Sequence, residues 1–136
     1  YGNLGDIPAF DGPPEDPQPV QHFKEQLKQA DGIIIVTPEY AFGVPGAFKN
    51  ALDWTVGSGD FLNKPVAMIT ASSHGEKAHE SLHHTLTALS ANLDPSTSLL
   101  IPFIRAKVRD GRIVDHETSL AIENVAHSFL NLLRKK

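Results

Sequence analysis

The chain contains no cysteine, which excludes disulfides, thiolate nucleophiles and iron–sulfur ligation together and suits a reducing compartment. Methionine is nearly absent too: Met68 lies inside an apolar segment, and residue 1 is Tyr. Translation products open on Met or a small residue, so these 136 residues are expected to belong to a longer chain. Basic charge is short, with 12 Lys and Arg against 16 Asp and Glu, which argues against nucleic acid as a partner. Long apolar runs are missing as well. Ile33–Val36 and Leu99–Ile104 fall far below the roughly 20 residues of a membrane-spanning helix, so no membrane partner is expected and the cytoplasm is the expected location.

What is present suffices for one core: 40% of residues are hydrophobic and 21% charged, so residues 1–136 read as one domain. Residues 1–19 carry five of the ten prolines and four acids without a base, an acidic loop. Val20, Phe23, Leu27 and Ala30 then repeat at helical spacing over residues 19–31, with Pro19 at the start and Gly32 as the stop. Ile33–Val36 is β-branched and apolar on both faces, as in a strand buried on both sides. A loop over residues 37–46 leads into a helix carrying Val44, Ala47, Phe48, Ala51, Leu52 and Thr55, broken by Gly57-Ser58-Gly59. Pro65–Thr70 is a second strand. Ala78, Leu82, Leu86, Leu89 and Leu93 form a stripe on a helix of about 18 residues. Ser98–Ile104 is a third strand, Asp110-Gly111 a tight turn, and Asp115 a cap for a last helix with Ile122, Val125, Ala126, Phe129 and Leu133 inward. Arg134-Lys135-Lys136 is a solvated helix end. Alternating strands and helices imply α/β architecture with a parallel sheet.

In such sheets ligands bind at the carboxyl ends of strands, in the loops leading into helices. Two loops qualify, Thr37–Gly46 and Thr70–Gly75. The first holds two aromatics, two prolines and two glycines. A stiff loop with exposed aromatics suits a flat, electron-rich ring; a turn whose Tyr40 and Phe42 cover the core edge is the plainer alternative.

Thr37–Trp54, in the form T-P-E-Y-x-x-x-x-P-G-x-x-K-N-A-x-D-W, resembles the signature of the NADPH-dependent FMN reductase family, and Lys64–Ser72 resembles its following K-P-V…A-S strand. The resemblance implies a flavodoxin-like three-layer sandwich with strand order 2-1-3-4-5. It also implies bound FMN, NAD(P)H as co-substrate, hydride transfer to a flavin, quinone or similar small-molecule acceptor, and a homodimer or homotetramer. By the same likeness Pro38, Glu39, Tyr40, Ala41 and Phe42 line the isoalloxazine ring, and Ser72, Ser73, His74 and Gly75 approach it from the second loop. Backbone N–H groups at the helix start after Gly75 are candidates to stabilise negative charge on reduced flavin. No side chain need act as acid or base in hydride transfer, so no catalytic residue is assigned. A non-catalytic flavin-binding or protein-interaction module of the same fold is the alternative, and a one-electron flavodoxin carrier a weaker one.

Two departures accompany the resemblance. The family's second loop reads A-S-x-G-G-x-G-G, whereas Ala71–Ala78 places His74, Lys77 and Ala78 at three of its glycines; Ala41 stands where Asn is common. The family's phosphate loop, G-S-x-R-x-x-S after a first strand, does not occur in residues 1–136. The fold is therefore expected to be incomplete at the N-terminus, with Ile33–Val36 left as an exposed apolar edge. Among other polar residues, Lys49, Asn50 and Asp53 suggest a polar dimer face or local capping, and Trp54 a core or interface anchor. His79 and His83 have the spacing of two metal ligands but lack a third, so a solvated or interfacial helix face is expected, with no metal site.

Overall fold

A computed structural model describes residues 1–134; Lys135 and Lys136 of the expected basic helix end lie outside the described residues. After a short 3-10 turn (Leu4–Asp6) the elements are α1 (Gln18–Gln29), β1 (Ile33–Thr37), α2 (Gly46–Asp53), β2 (Pro65–Ala71), α3 (Glu76–Ala88), β3 (Asn92–Ile101), α4 (Ile104–Lys107), β4 (Val108–Arg109), β5 (Arg112–Ile113) and α5 (His116–Arg134). Strands β1, β2 and β3 form a parallel sheet in that order, and β4 and β5 an antiparallel hairpin around Asp110-Gly111.

Alternate residues of β2 face opposite layers. Val66 and Met68 join Val20, Phe23 and Leu27 of α1, Leu52 of α2 and Leu82 and Leu86 of α3 in one core. Ala67 and Ile69 join Ile101, Val125 and Phe129 in a second core beneath α5. The result is the expected helix–sheet–helix sandwich. Leucines as fully buried as Leu82 and Leu86 each contribute about 1.5–3 kcal/mol.

Only β2 is buried on both faces. In β1 Ile35 is covered, but Ile34 and Val36 are 56% and 67% exposed, so that strand is not the doubly buried one its composition suggests. Register explains it. Ile34 and Val36 stand beside Ala67 and Ile69 on the α5 side, where α5 packs chiefly on β3 and β2. The free edge of β1 borders a groove of about 520 Å³ reaching from Tyr1 and Phe23 to Pro38 and Pro45. In the order 2-1-3-4-5 the central strand would pair along this edge.

Three boundaries differ from the sequence pattern. Helix α3 has 13 residues, and Leu93 belongs to β3 opposite Val66. Ser90 takes a left-handed φ of 59°, Ser90 N donates to Thr87 O and Ala91 N to Leu86 O, which closes the helix as glycine usually does. Strand β3 starts at Asn92 with an irregularity opposite Val66–Met68 and ends at Ile101, because Phe103 is left-handed and Ile104 opens α4. Gly32 serves close approach rather than a left-handed stop: a Cβ there would meet Leu133 and Phe129 atoms at 2.7 Å. At the other end Asp115 Oδ2 accepts from Thr118 N and Oγ1 at 2.9 and 2.6 Å, capping α5 and holding the Asp115 carboxyl below its usual range. Ala126, expected inward, is exposed.

Candidate active site

The carboxyl ends of β1, β2 and β3 open into three loops that meet at one mouth. The first turns back on itself at once. Tyr40 N donates to Gly43 O at 2.8 Å and Gly43 N to Tyr40 O at 2.9 Å, closing a two-residue hairpin. Its central residues, Ala41 and Phe42, have φ of 48° and 62°, the double left-handed geometry that usually calls for Asn or Gly. Each costs of the order of 1 kcal/mol. The turn projects Tyr40 and Phe42 outward, 65% and 80% exposed, so they do not cover the core edge.

The second loop is held on two sides. Ser72 N donates to Ile101 O, and Phe103 N and Ile104 N donate to Ser73 O and Ser72 O, all at 3.1–3.2 Å. Gly75 has φ of 100°, and a Cβ on it would meet Leu100 Cδ1 at 2.8 Å, so only glycine fits before α3. Ser73 and His74 are exposed, while Ser72 is half-buried.

Glu39 joins these loops. Its Oε2 accepts from Ala78 N at 2.9 Å and its Oε1 from Gly75 N at 3.3 Å. Of the α3 first-turn amides expected to serve an anionic flavin, Ala78 N is thus already bound by a carboxylate, together with Gly75 N just before the helix. The third loop adds Phe103, 62% exposed, with its ring 6.0 Å from that of His74 in an edge-to-face arrangement. The sequence pattern does not single out Phe103; Pro102 ending an apolar strand is the signal that would, by the same carboxyl-end rule. All nine expected ring-lining residues, Pro38–Phe42 and Ser72–Gly75, therefore lie on two loops that touch at this mouth.

The neighbouring polar residues have other work. Asn50 Oδ1 accepts from Phe10 N, Asn50 Nδ2 donates to Pro8 O, and Trp54 Nε1 donates to Pro8 O, all at 2.8–2.9 Å. The Phe10 ring meets Trp54 edge-on at 5.0 Å. Two signature residues, Asn50 on α2 and Trp54 just after it, therefore fasten the acidic N-terminal loop. Lys49 pairs with Asp53 at 2.5 Å one turn on, a half-exposed contact of small energetic weight. His79 is not solvated: its Nδ1 lies 2.9 Å from Thr70 Oγ1 and its Nε2 3.0 Å from Ser98 Oγ. Burial, then the neighbouring His83, lowers its pKa from 6.5.

A doubly covered parallel sheet with its candidate site at the strand carboxyl ends defines a flavodoxin-like domain. The chain belongs to the NADPH-dependent FMN reductase family, which it matches over residues 2–105. It is 31% identical to NADH-dependent flavin reductase subunit 2 of Lactobacillus johnsonii, over 97% of this chain and 78% of that protein. It is 34% identical to a quinone reductase of Escherichia coli, over 85% and 68% respectively. The flavoenzyme NAD(P)H:(acceptor) oxidoreductase FerB of Paracoccus denitrificans shares the fold, with a TM-score of 0.75 at 23% identity over 98% of this chain and 78% of FerB. The protein is accordingly an FMN-dependent oxidoreductase that draws electrons from NAD(P)H and passes them to a small-molecule acceptor.

The mouth fits the ring of that cofactor. It offers three exposed aromatic rings, Tyr40, Phe42 and Phe103, and the backbone of three loops, and its one acid, Glu39, is bound to α3. No G-S-x-R-x-x-S loop occurs in residues 1–136, and none of these residues is assigned to the phosphate.

Proposed function

We propose that Pro38, Glu39, Tyr40, Ala41 and Phe42, with Ser72, Ser73, His74 and Gly75, hold the isoalloxazine ring of FMN and expose it to NAD(P)H and then to a flavin, quinone or similar acceptor. The observation that carries this reading is the hairpin Tyr40–Gly43, which keeps two aromatics out of the core at a cost in backbone strain. When bound, FMN supplies two-electron hydride chemistry. The protein supplies a stiff shelf: the hairpin fixes Tyr40, Gly75 lets the second loop pass close over Thr70, and the Phe103 backbone holds Ser73 in place. Tyr40 and Phe42 can restrict water and favour flat aromatic acceptors, which agrees with the naming of the Escherichia coli relative. Residues 1–136 act as one domain of a homodimer or homotetramer in the cytoplasm. Exposed Phe42 and Phe103 suit contact with a second copy. Among the described residues no helix is long and apolar enough to cross a membrane.

The test is spectroscopic. The full natural protein is loaded with FMN, and NADPH is added without oxygen. Loss of the visible flavin band is expected. A yellow protein that keeps its band leaves a non-catalytic flavin-binding module. Tyr40→Ala should weaken FMN binding by roughly tenfold with an unchanged unfolding midpoint; wild-type affinity would remove Tyr40 from the site.

A further inference from the structure

We propose that Glu39 is a positioning residue: it latches the two ring-lining loops together, and its charge on the N-terminus of α3 lowers the reduction potential of the flavin held there. The inference rests on the reading of the mouth as the FMN site. Helices normally take their cap from the residue just before them, a Ser, Thr, Asp or Asn whose side chain accepts from the first-turn amides. Here that position is Gly75, and no such side chain fits: φ is 100° and a Cβ would strike Leu100 at 2.8 Å. Neither Ser72 nor Ser73 accepts a hydrogen bond from the helix start instead. The cap comes from 36 residues away, as Glu39 Oε1 on Gly75 N and, with Oε2, on Ala78 N. Losing it unlinks the two loops from each other, because nothing else between Pro38 and Ala78 is a side-chain link from one loop to the other among the described contacts.

The charge has its own effect. A helix N-terminus is equivalent to about half a positive charge, which would favour an anion such as reduced flavin. A full negative charge placed on it reverses that bias. The bound ring then gives up its electrons more readily.

Two variants separate latch from charge. Glu39→Gln keeps an oxygen for the Ala78 amide and removes the charge. Its FMN dissociation constant should stay within about threefold of wild type. Its reduced form should gain about tenfold in affinity over the oxidised form, which is a rise of about 30 mV in the two-electron potential. Glu39→Ala removes both, and amide hydrogen exchange over residues 72–78 of the FMN-free protein should accelerate by about tenfold or more. Should this variant fail to fold, Glu39→Asp, too short to reach both amides, carries the same exchange measurement. An unchanged potential in the glutamine variant overturns the electrostatic role. Wild-type exchange at Gly75 and Ala78 in the shortened variants overturns the latch. If the wild-type protein retains no FMN, the reading of the site falls, whereas exchange in the FMN-free chain still decides the latch.

Discussion

At the amino ends of β1 and β2 the chain is stitched down; at their carboxyl ends it is propped open. Lys64, just before β2, donates from Nζ to the carbonyls of Leu27 and Ala30, closing the C-terminus of α1. Asn63 N bonds Ser90 O and Asn92 N bonds Lys64 O, tying the start of β2 to that of β3. Gly32 lets α5 press onto the same end. Left-handed Asn63 and Ser90 sit at this end in tight turns, whereas the left-handed residues of the carboxyl end, Ala41, Phe42 and Phe103, include two exposed phenylalanines. Burial and satisfied carbonyls at one end supply stability that the other end spends on exposed aromatic surface. The two ends should therefore answer mutation differently, one in stability and the other in ligand affinity.

The sharpest way to break this contrast is Lys64→Met. The apolar part of the side chain is kept, but the carbonyls of Leu27 and Ala30 lose their donor. An unsatisfied, partly buried acceptor costs about 1–3 kcal/mol, so the urea midpoint should fall clearly while FMN affinity of the folded protein stays near wild type. A comparable loss of FMN affinity would mean that the ends are not independent.

A smaller effect is expected from His79, which lies beneath the mouth between Thr70 and Ser98. Its pKa is lowered from 6.5 by burial and by His83. Above about pH 6.5 the ring is neutral in both folded and unfolded chains, and nothing is lost. As pH falls through 6.5 the unfolded chain takes up a proton first, so stability declines, and the decline levels off below the folded pKa. Urea midpoints measured from pH 8 to pH 5 should show this drop in wild type and a shallower one in His79→Gln; parallel curves would remove His79 from the account.

How much of this contrast could be read from residue order depends on whether the cause was local. The β-branched run, the Pro45 entry to α2, the Asp110-Gly111 turn and the Asp115 cap all carry their reason within a few residues, and each forms as expected. The meeting of the two loops is also local in cause, since the carboxyl-end rule needs only strands followed by helices. The exposure of Ile34 and Val36 depends on which strands α5 covers, a tertiary matter on which their own composition is silent. Helix α3 stops at Ala88 because Ser90 accepts a left-handed φ, while the leucine stripe continues at Leu93 as though the helix went on. Glu39 is expected only to line the ring, and its hold on the start of α3 arises only because Gly75, distant in sequence, cannot carry a cap. Asn50 and Trp54 bond carbonyls more than 40 residues upstream, and spacing within the signature cannot reveal that partner.

The smallest expected effect tests the strain at the open end directly. Ala41 has φ of 48°, and nothing but the hairpin bonds between Tyr40 and Gly43 holds it there. Replacing it with glycine removes the steric penalty of a Cβ in the left-handed region, about 1 kcal/mol, but increases the freedom of the unfolded chain, which offsets part of the gain. The net change should be a stabilisation of about 0.5 kcal/mol, read as a slightly higher urea midpoint. Glycine also makes the turn easier to distort, so Tyr40 and Phe42 should be less firmly placed and FMN should bind somewhat more weakly. Stability rising while affinity falls is the signature of strain spent on placing a binding surface. If Ala41→Gly raises both, the left-handed turn is merely tolerated, and the hairpin's cost has no bearing on the ring.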